Sequence, residues 1–230
     1  MKTTALIVAA GSSVRFGGPI PKQFVTVAGL PLLAWTLERF EKARSIDDIV
    51  MVVTEDQLLN FSDEFVGRSR PTKVLKVVMG GATRQQSVLL GLESLPESTQ
   101  LVAIHDGARP LTSSLDINAV VQAATVEKAA ILASRVPDTV KKVADEYILS
   151  TQDRSDLWLA QTPQVFDREL ILAVHRRAAR EGVDVTDDSA LVEAAGYKVR
   201  VVESTSPNMK VTTRDDFRIV EALLKGSIDE

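Results

Sequence analysis

The stretch that decides the fold is Thr4-Ala-Leu-Ile-Val-Ala-Ala-Gly-Ser-Ser-Val-Arg-Phe-Gly-Gly-Pro-Ile-Pro-Lys-Gln23, an apolar run that leads into a loop punctuated by glycines. The apolar run is typical of a buried strand. Glycines let backbone N–H groups approach a ligand closely and form a nest for an anion. The loop lacks the patterns of a P-loop and of a dinucleotide site, but it carries two cations, Arg15 and Lys22. At this point the segment can be interpreted either as an anion-binding loop or as a solvated surface loop.

The composition of the 230-residue chain excludes several classes of protein. Hydrophobic residues make up 45% and charged residues 25%, as in a folded globular protein. The 27 basic and 31 acidic residues leave a net charge of −4, so we expect no nucleic-acid partner and no membrane partner. The absence of cysteine excludes disulfides and thiolate nucleophiles. With two histidines, His105 and His175, a catalytic metal should be an oxygen-ligated ion such as Mg²⁺.

Short apolar runs alternate with helical patterns, which predicts a Rossmann-like α/β fold: a mostly parallel sheet flanked by helices, in a single domain over residues 1–230. The predicted strands are Thr4–Ala9, Asp48–Thr54, Val74–Met79, Leu101–His105, Ala130–Val136 and Lys198–Glu203. Core-facing helical stripes are predicted at Leu33, Leu37, Phe40, Val88, Leu92, Leu95, Phe217, Val220 and Leu224. No apolar run approaches the length of a membrane span, and we expect a cytoplasmic protein.

One segment, about 137–164, interrupts this alternation with proline, aspartate and lysine. Within it, Tyr147-Ile-Leu149 fits one strand of a hairpin. No linker separates the segment from the rest of the chain. We therefore interpret it as an excursion from the domain and not as a second domain.

Asp106 follows a predicted strand, at the edge where open α/β sheets bind ligands. It is the candidate Mg²⁺ ligand, because one carboxylate with substrate oxygens and water suits the octahedral preference of that ion. The alternative is a turn cap. Asn208 is a weaker candidate for the same ion, since asparagine caps turns readily. For His105, we expect a satisfied side chain at a strand end.

Five motifs along the chain narrow the interpretation. They are 9–23, Gly80-Gly-Ala-Thr-Arg-Gln-Gln-Ser-Val88, Ile104-His-Asp-Gly-Ala-Arg-Pro110, Asp153-Arg-Ser-Asp-Leu-Trp-Leu-Ala-Gln-Thr-Pro-Gln164 and Asn208-Met-Lys-Val-Thr212. Together and in this order they resemble the motifs of the 2-C-methyl-D-erythritol 4-phosphate cytidylyltransferase family. This family uses CTP in non-mevalonate isoprenoid biosynthesis. Each motif alone is weak, and the five in order are specific.

The resemblance implies a nucleotide site and an enzyme that converts CTP and 2-C-methyl-D-erythritol 4-phosphate to the cytidyl diphosphate and pyrophosphate. Arg15 and Lys22 would stabilise the transition state. The residues implied in nucleotide binding are Ala9, Ala10, Gly11, Ser12, Gly80, Gly81, Ala82, Arg84 and Ser87. Of these, the backbone around Gly81 and Ala82 and the Ser87 hydroxyl would recognise cytosine, and Arg84 would brace the turn.

The resemblance also implies the second substrate site. Arg154 and Lys210 would hold the polyol phosphate for attack on CTP. The other implied substrate contacts are Asp106, Arg109, Thr139, Thr162 and Thr186. The 137–164 segment would be a β-arm that embraces a second subunit, so that Thr139 and Arg109 serve the partner's site in a homodimer.

Three alternatives remain. A ribitol-5-phosphate cytidylyltransferase would share the fold and the glycine loop. A non-catalytic nucleotide-binding module is disfavoured by the presence of Arg15, Lys22 and Asp106. A nicotinamide-dependent dehydrogenase is disfavoured because the dinucleotide fingerprint is absent.

Overall fold

A computed structural model of the protein describes residues 1–11, 16–17, 21–59 and 71–226. Two of the predicted site residues, Ser12 and Arg15, lie outside this part of the chain. The described strands are β1 (Thr3–Val8), β2 (Thr26–Val27), β3 (Leu30–Pro31), β4 (Asp48–Val53), β5 (Val74–Met79), β6 (Leu101–Asp106), β7 (Ala129–Arg135), β8 (Lys141–Ala144), β9 (Tyr147–Thr151), β10 (Trp158–Asp167) and β11 (Arg200–Glu203). The described helices are α1 (Leu32–Lys42), α2 (Glu55–Leu59), α3 (Arg84–Glu93), α4 (Ser114–Glu127), α5 (Arg168–Glu181), α6 (Asp188–Ala194) and α7 (Arg214–Gly226), with a short 3-10 helix at Lys22–Phe24.

The central sheet has the order β11-β7-β10-β6-β1-β4-β5 over the described residues. The pairs β6–β1, β1–β4, β4–β5 and β11–β7 are parallel, whereas β10 runs antiparallel to both of its neighbours. All six predicted strands are present in this sheet. The predicted fold, a mostly parallel sheet flanked by helices, is confirmed.

The central strands alternate their side chains between two layers of helices, because successive residues of a strand point to opposite faces. In β1, Ala5 and Ile7 pack on the face covered by α1 and α4, and Leu6 packs on the face covered by α3, α5 and α6. Strands buried on both faces need nearly continuous apolar runs. This requirement explains why the apolar runs in the sequence identified the strands.

A third apolar cluster joins the region of the glycine loop to the C-terminal part of the chain. It contains Phe16, Trp35, Val211 and Val220. The Phe16 ring meets the ring of Phe217 edge to face, with the centroids 5.8 Å apart. The segment that carries Lys210 is thereby held against the loop that follows β1.

The segment 137–164 leaves the sheet only in its first part. Strands β8 and β9 pair as an antiparallel hairpin that includes Tyr147. From Trp158 the chain is already back in the central sheet as β10, where Gln164 pairs with Ile104 and Ile131. The prediction that the excursion extends to residue 164 is therefore wrong for its last seven residues. The strand has no continuous apolar run, because Thr162 and Gln164 are polar side chains that are buried and satisfied by hydrogen bonds.

Among the helices that the structure describes, none combines the length and the apolarity that a bilayer span requires.

Helix α3 approaches the sheet so closely at Gly91 that an alanine there should destabilise the fold. A Cβ atom at this position would lie 2.5 Å from Leu6 Cδ1 and 2.8 Å from Val52 Cγ2, both in the core. We expect Gly91→Ala to lower the free energy of unfolding in urea by about 1–3 kcal/mol, although alanine is the better helix former by about 1 kcal/mol. Gly226→Ala, at a helical position with open space around it, is the control and should change stability by less than about 0.5 kcal/mol. An equal effect of the two substitutions would contradict this packing account.

Candidate active site

The site begins at the point in the sheet where the chain order reverses. From β1 the chain adds β4 and then β5 on one side, and it returns to add β6 on the other side of β1. Open α/β sheets bind ligands at the carboxyl ends of the strands beside such a reversal. Val8 and Asp106 are paired at these two strand ends, and the Gly107 N–H donates to the Val8 carbonyl at 2.9 Å. The loop after β1 and the motif after β6 are therefore neighbours.

Two adjacent cavities open at this edge of the sheet. The first has a volume of about 430 Å³ and the second about 240 Å³. They share three lining residues, Arg84, Asp106 and Lys210. A ligand in one cavity would therefore meet a ligand in the other at this carboxylate and its two cations.

The first cavity brings together most of the residues implied in nucleotide binding. Its lining includes Ala9, Ala10, Gly11, Lys22, Gly81, Ala82, Arg84 and Ser87. Gly80 stands directly behind it, since a Cβ atom there would lie 2.5 Å from the Ala10 Cβ and 2.8 Å from the Ser87 Oγ. A side chain at position 80 would push apart the two motifs that form the cavity wall.

The turn after β5 is held by its own hydrogen bonds. Ser87 is 2% exposed, and its hydroxyl accepts from the Gly81 N–H at 3.1 Å and donates to the Thr83 carbonyl at 2.9 Å. Thr83 and Gln86 form a reciprocal capping box at the start of α3. The serine therefore fixes the shape of the turn, and its hydroxyl keeps one acceptor lone pair.

Gln23, at the end of the 9–23 motif, is a site residue to which the sequence alone assigns no role. Its side chain is 3% exposed and donates to the carbonyls of Ala9 and Gly11. The amide thus ties the 3-10 helix to the exit of β1. This contact places Lys22, the neighbour of Gln23, in the wall of the first cavity.

Besides Asp106 and Lys210, which both cavities share, the second cavity is lined by three more of the residues implied in binding the other substrate: Arg109, Thr162 and Thr186. The resemblance assigned Arg109 to the site of a partner subunit. In the structure its Nε lies 3.6 Å from Asp106 Oδ2, and its Nη1 donates to the Asn208 carbonyl at 2.6 Å. Arg109 therefore lines the second cavity of its own chain beside Asp106. Its role at a partner's site stays a prediction.

Asp106 is the centre of the charged groups in both cavities. Arg84 Nε lies 3.1 Å from Oδ1, and Lys210 Nζ lies 2.8 Å from Oδ2. Burial alone would raise the pKa of the Asp106 carboxyl, but Arg84, Lys210 and Arg109 outweigh it and hold that pKa well below its usual range. The carboxylate is therefore ionised throughout the physiological range of pH.

A hydrogen-bonded chain behind Asp106 fixes its backbone. The Thr162 hydroxyl accepts from the Asp106 N–H at 3.1 Å and lies 3.0 Å from His105 Nδ1. Since a carbonyl oxygen can only accept, the Nε2–H of His105 donates to the Arg109 carbonyl at 3.3 Å, and Nδ1 of the neutral ring accepts from the Thr162 hydroxyl. Burial lowers the pKa of His105 to about 3. The ring is therefore neutral, as expected for a satisfied residue.

Three other predictions have different outcomes. Arg154 and Thr139 are exposed and line neither cavity of their own chain; the Arg154 Nη1 donates to the Pro137 carbonyl. Asn208 is 1% exposed, and its side-chain oxygen accepts from the Thr112 hydroxyl at 2.6 Å. Its amide donates to two groups of β10. The suggestion that Asn208 faces the metal ion is wrong, because its side chain braces the loop that carries Lys210.

Two cavities of this kind, joined at a buried carboxylate and located at the reversal of an α/β sheet, are typical of an enzyme that binds a nucleotide and a second substrate side by side. The first has a backbone-lined turn and a lysine, and the second has an arginine and two threonines.

Comparisons with known proteins identify the family. The model of the 2-C-methyl-D-erythritol 4-phosphate cytidylyltransferase family, IspD, matches residues 3–226. A relative of that name from Caldanaerobacter subterraneus subsp. tengcongensis is 40% identical over 98% of this chain and 100% of its own length. A second, from Desulforamulus reducens, is 43% identical over 96% of this chain and 95% of its own length. The crystal structure of 4-diphosphocytidyl-2C-methyl-D-erythritol synthase from Anaerococcus prevotii superposes with a TM-score of 0.85 at 32% identity, covering 97% of this chain and 96% of that one. The chain belongs to this family of nucleotidyltransferases.

The depressed pKa of His105 predicts a pH dependence of stability. Between its ordinary value of 6.5 and the folded value of about 3, the unfolded chain binds a proton that the folded protein does not. Stability is therefore complete above pH 6.5 and is lost as the pH falls. From pH 7 to pH 4.5, the free energy of unfolding of the wild type should fall by about 1–3 kcal/mol more than that of His105→Gln.

Urea unfolding at several pH values in this interval measures the effect. Carboxyl groups that begin to titrate near pH 4.5 do so in both proteins, so the difference between the two isolates the histidine. Parallel curves for the two proteins would contradict the assignment of His105 as a buried neutral side chain.

Proposed function

We propose that the protein transfers the cytidylyl group of CTP to 2-C-methyl-D-erythritol 4-phosphate, which yields 4-diphosphocytidyl-2-C-methyl-D-erythritol and pyrophosphate. The observation that carries the proposal is the pair of cavities that meet at Asp106 and Lys210. CTP would occupy the larger cavity and the polyol phosphate the smaller one. The two reacting phosphates would then face each other across the shared residues.

The reaction in this arrangement is a single in-line displacement. An oxygen of the polyol phosphate attacks the α-phosphorus of CTP and forms the new P–O bond. The bond from the α-phosphorus to the α,β-bridging oxygen breaks, and pyrophosphate leaves with that electron pair. The attacking phosphate is already ionised at neutral pH and needs no general base. This accords with the neutral, fully hydrogen-bonded His105.

The protein's contribution is to hold two anions in contact and to stabilise the charge that grows on the leaving group. Lys210 serves both substrates in this proposal, since it lines both cavities. Lys22 lines the nucleotide cavity and would stabilise the phosphates of CTP together with Arg15. Asp106 offsets the mutual repulsion of the cations while the site is without ligand.

The turn 80–83 and Ser87 would select cytosine. The remaining acceptor lone pair of the Ser87 hydroxyl suits the exocyclic amino group of cytosine, and the close contact of Gly80 with Ala10 limits the depth available to a base. A purine would need the wall to move. Selection of a pyrimidine would thus follow from backbone shape as well as from hydrogen bonding.

Mg²⁺ is the cofactor that we propose, with Asp106 as its ligand. The carboxylate accepts hydrogen bonds from Arg84 at 3.1 Å and from Lys210 at 2.8 Å, out of about four that it can accept. Among the described residues it is the carboxylate that lines the nucleotide cavity. Substrate oxygens and water would complete the coordination, and the ion would neutralise charge on the phosphates.

A homodimer completes the proposal. The hairpin of β8 and β9 exposes Tyr147, Ile148 and Leu149, which are 77%, 64% and 59% exposed. An exposed apolar patch of this kind favours association with another surface. Arg154 and Thr139, at the base of the hairpin, would reach the second cavity of the partner chain.

The cytoplasmic location stays a prediction from the sequence.

A substrate panel tests the proposed function. Pyrophosphate release should require CTP, 2-C-methyl-D-erythritol 4-phosphate and Mg²⁺ together, and the three other nucleoside triphosphates should be poor substrates. A clear preference for ribitol 5-phosphate would favour the sister activity. CTP binding without pyrophosphate release from any polyol phosphate would favour the non-catalytic module.

Arg154→Ala should raise the KM for the polyol phosphate much more than the KM for CTP, because Arg154 is proposed to contact the former alone. Steady-state kinetics with each substrate varied in turn measures the two values. Lys142→Ala, an exposed cation on the same arm, is the matched control and should leave both values unchanged.

Hybrid dimers test whether Arg154 acts on the partner's site. A dimer purified with one Arg154→Ala chain and one Lys210→Ala chain has one complete site if the arm acts in trans. At a substrate concentration where both parents are inactive, it should show about half of the wild-type activity. A hybrid as inactive as its parents would mean that Arg154 serves its own chain.

A further inference from the structure

Two buried ionisable side chains have no role in the reaction described above. Asp188 and His175 are both 1% exposed, and neither lines either cavity. Moving a carboxylate out of water costs several kcal/mol unless it is paired and hydrogen-bonded. The contacts of Asp188 must therefore offset the free-energy cost of burying its carboxylate.

The Asp188 carboxylate has two partners. Its Oδ2 accepts from Arg84 Nη2 at 2.8 Å, and its Oδ1 accepts from His175 Nε2 at 3.1 Å. The Nε2 atom of the histidine therefore carries the proton. On the other side of that ring, Nδ1 is buried without a hydrogen-bond partner in the described part of the chain. The hydrogen bond that the His175 ring makes in this part of the chain therefore orients the Asp188 carboxylate.

The N-terminus of α6 does not need this carboxylate. Asp187 caps the helix by accepting from the Ala190 N–H, and the side chain of Gln164 accepts from the backbone N–H groups of Asp188 and Ser189. These contacts hold the backbone of Asp188 independently of its side chain. The carboxylate is therefore free to serve Arg84.

Arg84 connects this pair to the site. Its Nη2 is bound to Asp188, and its Nε donates to Asp106 Oδ1 at 3.1 Å. Burial would lower the pKa of the Arg84 guanidinium, but Asp188 and Asp106 outweigh it and raise that pKa. In the described residues Nη1 has no hydrogen-bond partner, and the side chain, 30% exposed, lines both cavities. Two carboxylates on different elements thus fix a planar group whose remaining nitrogen is available to a ligand.

We propose that Asp188, held by His175, is a positioning residue that locks the Arg84 guanidinium at the boundary of the two cavities. Arg84 then keeps Asp106 in place and offers Nη1 to a phosphate oxygen of a bound substrate. The charges alternate from Lys210 through Asp106 and Arg84 to Asp188. The identity of that phosphate rests on the proposed function, whereas the locking of Arg84 does not.

Substitutions at His175 test the coupling without touching either cavity. His175→Leu removes the donor to Asp188 and keeps a similar volume, and His175→Gln replaces it with an amide donor that can reach the same place. We expect His175→Leu to lower kcat with CTP and the polyol phosphate by about 10-fold, with both KM values changed by less than about 3-fold. His175→Gln should recover most of the loss. Asp188→Asn, which keeps the shape of the side chain, should act like His175→Leu.

A double-mutant cycle with Arg84→Lys separates positioning from general stability. Lysine cannot bridge two carboxylates as a guanidinium does. If His175 acts through Arg84, then His175→Leu should lower kcat by less than about 2-fold in the Arg84→Lys background. The same loss in both backgrounds would overturn the proposal, because it would show an effect that does not pass through Arg84.

A spectroscopic readout does not depend on the reaction. In the ligand-free protein, the Arg84 Nε–H resonance, assigned by its disappearance in Arg84→Lys, should be sharp and protected from solvent exchange in the wild type and in His175→Gln. It should broaden or exchange rapidly in His175→Leu and Asp188→Asn. An unchanged resonance in both variants would overturn the locking of Arg84 even if the wild type is active. If the wild type releases no pyrophosphate from the two substrates, the proposed function fails while this measurement still decides the inference.

Discussion

The site depends on one buried carboxylate. Asp106 is 7% exposed and lies within 3.6 Å of three cationic groups that would otherwise repel one another. In the ligand-free protein it replaces the negative charge that substrate phosphates would bring. Because the cations hold it ionised, its own charge does not vary with pH in the physiological range. The cations are therefore in place before any phosphate arrives, which is what preorganised stabilisation of a growing charge requires.

The position of Asp106 follows from the topology of the sheet. It ends β6, the strand added on the opposite side of β1 from β4 and β5, so it faces the loop that follows β1. The antiparallel strand β10 then supplies Thr162 beneath it and Gln164 beside the start of α6. This antiparallel strand thus holds both Asp106 and the segment that carries Thr186 in place. The net charge of −4 for the whole chain conceals this local concentration of positive charge.

Those parts of the fold and of the site that leave a pattern in local sequence could be predicted, and those that depend on three-dimensional contacts could not. Apolar runs such as that of β1 identified the parallel strands, because burial on both faces demands continuous hydrophobicity. Strand β10 was not recognised, since Thr162 and Gln164 are polar and are buried through hydrogen bonds that local sequence does not reveal. For the same reason the partners of Asn208 and the position of Arg109 in its own chain required three-dimensional contacts. The motifs predicted most of the cavity lining, whereas Gln23, Asp188 and His175 carry no local pattern that distinguishes them from ordinary core or loop residues.

The central claim is that two anionic substrates meet at Asp106 and Lys210. A crystal structure with Mg²⁺, 2-C-methyl-D-erythritol 4-phosphate and a CTP analogue whose α,β-bridging oxygen is replaced by a methylene group tests it most directly. We expect the base to lie against the turn 80–83 and a phosphate oxygen of each ligand to lie within about 3.5 Å of Lys210 Nζ. Phosphates bound far apart, or a polyol phosphate outside the second cavity, would contradict it.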